Sequence, residues 1–294
     1  MAKTAWVFPG QGSQSIGMGT DLADIGTARF SQAEDILGWS VLEICGSEDD
    51  KVSNTLYTQP CLYVIESILA DALKAKGERP AVVAGHSLGE YSALYTAEVF
   101  SFAAGLRLVK RRAELMAQAA EGSMAALMGF KREALEAALA NTADVVLAND
   151  NNAGQVVISG TAEAVEAAIQ QVKARRATRL NVSGAFHSPL MAGAAQEFAD
   201  ILNAVEFKDA IAPVLSNVDP TPSTDAAELK QRLTQQMTGS VRWREISLSL
   251  PKQGIDTVIE VGPGAVLTGL IKRTVKDLEL KQIESLAQLE AAYS

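Results

Sequence analysis

The chain has 294 residues, 48% hydrophobic and 21% charged, a formal net charge of −9, two histidines and two cysteines. This is a globular composition with enough interior for a sizeable core, and its acidic balance excludes a dedicated nucleic-acid binder, whose footprint is basic. Cys45 and Cys61 form no CxxC, and His86 and His187 are too far apart for HExxH, so neither a disulfide framework nor a zinc site is expected and a reducing, cytoplasmic setting is. The apolar part of MAKTAWVFPGQGS is too short for a signal peptide, and no apolar run approaches the roughly 18 residues of a membrane helix.

Residues 6–8 read as a buried strand that ends in the glycine-rich loop PGQGSQSIGMG. Pro60, with Thr58 as a cap, opens a helix to about Lys76, where Gly77 stops it. A second strand over 80–84 leads through a glycine-flanked turn into a helix over 88–97, and Ser101 caps another helix reaching about Ala120. Strands alternating with helices in this way predict a parallel α/β sheet.

The middle of the chain has another rhythm. Strand 125–130, helix 131–141, strands 145–149 and 155–160, helix 162–175 and strand 178–182 give the order βαββαβ, a ferredoxin-like pattern. A small domain inserted over 123–185 is expected, with 1–122 and 186–294 forming the large α/β domain. There the pattern resumes with a helix over 189–203, a strand over 213–216, and a helix capped by Thr224 or Asp225 that runs to about Met237. A mostly helical stretch over 241–253, a strand over 257–261, the turn Gly262-Pro263-Gly264 and a helix to about Val275 complete it. Two strands are thus expected after His187.

Gly85-His86-Ser87-Leu88-Gly89 is a GxSxG sequence between an apolar strand and a helix. A serine at such a sharp turn is lifted clear of the sheet, beside N–H groups at a helix N-terminus that can stabilise an oxyanion. The base must be His86 or His187, since no other imidazole exists. Side chains adjacent on a sharp turn diverge, which leaves His86 in a supporting place. His187 lies in a loop before a helix, where it can face a cleft. In α/β-hydrolases the histidine comes late and an acid precedes it; here 107 residues follow His187 and no acid stands out. A Ser–His dyad, its imidazole oriented by an amide or carbonyl, fits better. In the first loop, glycines allow close backbone approach, and Gln11 can offer an N–H to the oxyanion. Arg107, Lys110, Arg111 and Arg112 share one helix, and a single inward arginine could grip a carboxylate; periodicity does not select which.

The motifs FPGQGSQ at 8–14, GHSLGEY at 85–91, KRRAELM at 110–116, NNAGQVVISG at 151–160, GAFHSPLM at 184–191 and VGPGAVLTGLIKR at 261–273 occur in the order of one family. Almost end to end, the chain resembles the malonyl-coenzyme A:acyl carrier protein transacylases of bacterial fatty-acid synthesis. The resemblance implies a hydrolase-like α/β domain carrying a ferredoxin-like insertion. It implies Ser87 as nucleophile, His187 as base, the N–H groups of Gln11 and Leu88 as oxyanion hole, and Arg112 as partner of the malonyl carboxylate. It further implies Gln236 as the residue whose main chain orients the imidazole, with His86 and Asn151 in support. Malonyl-CoA would be a co-substrate in a ping-pong transfer, with no resident cofactor or metal. Ala113 and Ala153 stand where the family usually has glycine and proline, small changes that leave these assignments intact.

Two other readings are a stand-alone malonyl transferase for a polyketide synthase and a serine thioesterase. Arg112 and the position of His187 disfavour the thioesterase, and Gly184-Ala185-Phe186-His187 resembles the malonyl rather than the methylmalonyl type. The acidic total hides basic ground, and Lys173, Arg175, Arg176, Arg179, Lys272, Arg273 and Lys276 are expected to meet an acidic acyl carrier protein.

Overall fold

The computed structural model describes residues 3–119, 121–182 and 184–293. In chain order its elements are β1 (Thr4–Phe8), α1 (Thr27–Leu37), α2 (Val41–Cys45), α3 (Thr55–Ala75), β2 (Val82–Gly85), α4 (Gly89–Thr96), α5 (Phe102–Gln118), β3 (Ser123–Met128), α6 (Arg132–Asn141), β4 (Val145–Asn152), β5 (Gln155–Gly160), α7 (Ala162–Val172) and β6 (Arg176–Arg179). There follow α8 (Ala192–Asn203), β7 (Val214–Leu215), α9 (Ala226–Gln236), α10 (Trp243–Ser249), β8 (Thr257–Val261), α11 (Val266–Lys272), β9 (Glu279–Ile283) and α12 (Leu286–Ala292).

Five strands form a parallel sheet in the order β7-β2-β1-β8-β9. Its inner strands are short and apolar because both faces are covered, one by Trp6, Phe8 and Val83 packing on α3 and α4, the other by Ala5, Val7 and Val258 packing on α10 and α11. The second sheet is antiparallel, in the order β4-β5-β3-β6, with α6 and α7 burying Leu135, Val165 and Ala168 against Ala125, Leu127 and Ile158. This is the ferredoxin-like connection that the βαββαβ order predicts. The β4 edge docks through main-chain bonds to the segment before α10, Asp150 N–H to Val241 O at 2.9 Å and Val241 N–H to Ala148 O at 2.8 Å.

Several boundaries differ from expectation. The long helix begins at Thr55, capped by Asn54 Oδ1 accepting from Leu56 N–H, so Pro60 lies inside α3 rather than opening it. Pro60 needs no partner for a missing N–H, and Thr58 Oγ1 instead donates to Val52 O and Asn54 O. Ser101 does cap α5, accepting from Ala104 N–H, while Ala120, the expected end, lies outside the described residues. Three strands, not two, follow His187: β9, whose sequence ELKQI carries three charged or amide side chains, closes the sheet edge as a half-polar strand. The helices α1, α2 and α12 were also not anticipated; each buries only a few side chains. Among the described residues no helix is long and apolar enough to cross a membrane.

The loops that follow β1, β2, β7 and β8 all leave the same, C-terminal edge of the parallel sheet, where α/β sheets present their ligands.

Candidate active site

The turn after β2 places Ser87 at φ 53°, in the left-handed region that non-glycine residues rarely occupy. The flanking glycines make the turn possible. A Cβ on Gly85 would lie 1.9 Å from the main chain of Gly89, and a Cβ on Gly89 would lie 2.0 Å from Phe8 O. Strand and helix therefore cross with no room for a methyl group.

Ser87 Oγ donates to His187 Nε2 at 2.8 Å. His187, itself at φ 56°, is buried, and its Nδ1 faces two carbonyl oxygens, Gln236 O at 3.0 Å and Gly239 O at 3.1 Å. Carbonyls only accept, so Nδ1 carries the proton and Nε2 presents its lone pair to the serine. Burial, reinforced by the nearby Arg112 charge, pushes the His187 pKa down to about 3. The imidazole is thus neutral and ready to take a proton. Among the described residues no acid completes a triad; two main-chain carbonyls do the orienting.

Of the four cations on α5, Arg112 is the inward one, only 1% exposed. Lys110 Nζ instead donates to Ile36 O at the end of α1, Arg111 pairs with Glu114 and Glu197, and Arg107 is exposed. Arg112 Nη1 donates to Gln59 Oε1 at 2.6 Å, and Nη2 to Ser87 Oγ at 3.0 Å and Gln236 Oε1 at 3.2 Å. Its guanidinium carbon sits 5.4 Å from the centre of the Tyr91 ring. Among the described residues no carboxylate lies within ion-pairing distance of it, so the cation is held by amides, a hydroxyl and a ring. Burial lowers its pKa from the usual arginine range. Such a site favours an entering anion.

The loop Pro9–Gly12 packs on the elbow so closely that a Cβ on Gly10 would lie 2.3 Å from His86 O. Gln11 Nε2 is anchored on Thr55 Oγ1 at 2.9 Å. The main-chain N–H groups of Gln11 and Leu88 have no hydrogen-bond partner among the described residues. His86 is turned aside, its Nε2 bonded to Asn151 Oδ1 at 2.9 Å and its ring 5.6 Å from Trp243, so the pair links β4 to the elbow. Burial lowers the His86 pKa.

The structure thus joins Ser87, His187, Arg112 and Gln236 directly and sets Gln11, Leu88, His86 and Asn151 around them. Three residues of this network were not singled out by sequence reasoning. Gln59 precedes Pro60 and accepts from Arg112; Asn217 follows β7; Glu90, within GHSLGEY, is buried beneath the elbow, and burial raises its pKa. Glu90 had a signal, an acid in the first turn after the nucleophile; Asn217 and Gln59 had none. Among the described residues no group of three or more histidines, cysteines or acids could hold a metal ion. Cys45 and Cys61 are buried free thiols.

The seven basic residues are exposed but fall in two places. Lys173, Arg175, Arg176 and Arg179 follow α7 and form β6, an edge of the four-stranded sheet, where Arg179 pairs with Glu166. Lys272 ends α11, Arg273 caps it and Lys276 follows in the next loop, with Lys272 and Lys276 lining a cavity of about 700 Å³.

The acyl transferase domain model matches residues 5–291. The chain is 59% identical to a malonyl CoA-acyl carrier protein transacylase of Synechocystis sp., over 98% of this chain and 99% of the relative. A crystal structure of the Synechocystis malonyl-CoA:ACP transacylase superposes with a TM-score of 0.97, covering 98% of this chain and 99% of that one. A malonyl-transacylase in complex with its type II PKS acyl-carrier protein, 37% identical, superposes at 0.94 over 99% of each chain. A half-buried Ser87 on the buried His187, with no acid on the imidazole among the described residues, an arginine beside them that pairs with no carboxylate, and the near-complete match in sequence lead to one conclusion: the chain belongs to the acyl transferase domain family, among the malonyl CoA-acyl carrier protein transacylases.

Proposed function

We propose that this protein transfers the malonyl group from malonyl-CoA to the phosphopantetheine thiol of an acyl carrier protein, through an ester on Ser87, supplying fatty-acid elongation. Arg112 carries the reading. A buried guanidinium 3.0 Å from the nucleophile, with no carboxylate of its own, suits a substrate whose acyl group ends in a carboxylate.

In the first half-reaction His187 Nε2 takes the proton of Ser87 as Oγ bonds to the thioester carbon. The carbonyl electron pair moves onto oxygen, where the N–H groups of Gln11 and Leu88 meet it. Collapse expels the coenzyme A thiolate, which receives the proton from His187. In the second half-reaction His187 takes the proton of the carrier thiol, the thiolate attacks the ester, and Ser87 leaves with the proton restored. Malonyl-CoA is a co-substrate; the chain's own groups perform each proton transfer. One of the two basic groups, on β6 or at the end of α11, would meet the carrier. We place the protein in the cytoplasm, where its buried thiols stay reduced.

Incubation with labelled malonyl-CoA should leave label on Ser87, stable until phosphopantetheinylated carrier is added and then moving to it. Label that appears only as free malonate would overturn the transfer reading.

A further inference from the structure

Two peptide planes flank Ser87, and each is held by a buried side-chain amide from outside the elbow. The parallel pairing of β2 with β7 stops at Ala84 and Leu215, because the chain then turns out of the sheet. Asn217 continues the ladder with its side chain. Its Nδ2 donates to Gly85 O at 2.6 Å and its Oδ1 accepts from Ser87 N–H at 2.7 Å. A carboxamide supplies donor and acceptor together, as this place requires. On the other side of the serine, Gln236 Nε2 donates to Ser87 O at 2.8 Å, a carbonyl that Glu90 N–H also reaches at 3.2 Å. Glu90 Oε2 accepts from both amide residues, Asn217 N–H at 3.1 Å and Gln236 Nε2 at 2.8 Å. One buried carboxylate ties the two clamps together.

The C=O and N–H of a trans peptide are coplanar and point in opposite directions. Fixing the Ser87 carbonyl on Gln236 therefore turns the Leu88 N–H the other way. Leu88 N is 3.7 Å from where a Cβ on Gly10 would stand, so it lies beside the loop that carries Gln11. We propose that Gln236 and Asn217 are positioning residues for the oxyanion hole: their side-chain amides lock the peptide planes after and before Ser87, and Gln236 aims the Leu88 N–H. The proposal rests on Ser87 being the acyl acceptor. It gives the Gln236 side chain a task separate from that of its main-chain carbonyl, which holds His187.

Gln236→Met and Asn217→Leu keep size, remove the amide and leave the carbonyl of residue 236 in place for His187. Malonyl and acetyl loading are measured by single turnover, alongside affinity for a trifluoromethyl ketone analogue of the acyl thioester. In that adduct Ser87 Oγ bonds to the ketone carbon, its proton passes to His187 and the carbonyl pair becomes an oxyanion. For Gln236→Met, which also takes an acceptor from Arg112, acetyl loading, which does not use Arg112, should slow as much as malonyl loading, roughly 100-fold, with KM for acetyl-CoA changed less than about twofold, and analogue affinity should fall by the same factor as the rate. Asn217→Leu should shift both quantities in the same direction. Unchanged loading, or slow loading with undiminished analogue affinity, overturns the proposal. Should Gln236→Met not fold, Gln236→Asn, too short to reach Ser87 O, gives the same comparison. A wild-type protein that never carries malonyl on Ser87 would instead overturn the underlying reading.

Discussion

Ser87 and His187 lie 100 residues apart, meet at 2.8 Å, and both hold left-handed backbone conformations, φ 53° and 56°. Each conformation costs on the order of 1 kcal/mol or more for a residue with a Cβ, and persists only where surrounding bonds over-determine it. They do so here: Asn217 and Gln236 hold Ser87 from both sides, and two carbonyls hold the ring of His187. The strain is local, and it lies where nucleophile and base must be presented.

The pH dependence follows from His187. With its pKa pushed down to about 3 by burial and Arg112, the base stays neutral through mild acid. Malonyl loading of the free enzyme should therefore show no inflection near pH 6.5, the ordinary imidazole value. Folding stability carries the opposite mark. The unfolded chain binds a proton at this imidazole below about pH 6.5 that the folded chain refuses until about pH 3, so stability present above that window declines as pH falls through it. Denaturant titrations at several pH values should give a shallower acid slope for His187→Gln than for wild type.

Arg112→Met should slow malonyl loading by about 2 to 3 kcal/mol, roughly 30- to 150-fold in kcat/KM, and leave acetyl loading unchanged or faster. Burial still depresses His187 in this variant, but the charge that adds to it is gone, so the acid limb for acetyl loading should move to higher pH than in wild type. Parallel rates with malonyl- and acetyl-CoA at several pH values check both outcomes.

Gly89→Ala sets a methyl group 2.0 Å from Phe8 O and should destabilise the fold by about 3 kcal/mol or more, since backbone rather than a flexible side chain must move. Gly269, inside α11 with nothing within 4 Å of its absent Cβ, provides the contrast. There Gly→Ala should stabilise by about 0.5 to 1 kcal/mol. Urea unfolding of both variants measures the difference.

Charge reversal distinguishes the two basic places. Arg175→Glu with Arg176→Glu alters the β6 edge, and Lys272→Glu with Lys276→Glu alters the end of α11. One pair, not both, should raise KM for carrier protein with added salt dependence, and neither should change KM for malonyl-CoA. Steady-state kinetics with each substrate varied in turn identifies the docking face.

Much of the site could be read along the chain because its parts are local motifs. GHSLGEY specified strand, sharp turn and helix, since Gly85 and Gly89 are required wherever the two cross. The βαββαβ order determined the small sheet, because alternation and helical period suffice for hairpin and crossover connections. The long helix was started late because Pro60 is a strong opening signal, and only the Asn54 cap outweighs it. The edge strand β9 escaped because half its side chains face solvent. Periodicity left four neighbouring cations open, since it gives angles between residues but no direction to the core; the family motif pointed to Arg112, and packing against Gln59 and Tyr91 is what turns it inward. Tertiary structure alone brought the side chains of Asn217 and Gln236 to the peptide planes of Ser87. Those bonds join residues as many as 149 positions apart, and no local propensity records a contact made only when separate strands and helices converge on one sheet edge.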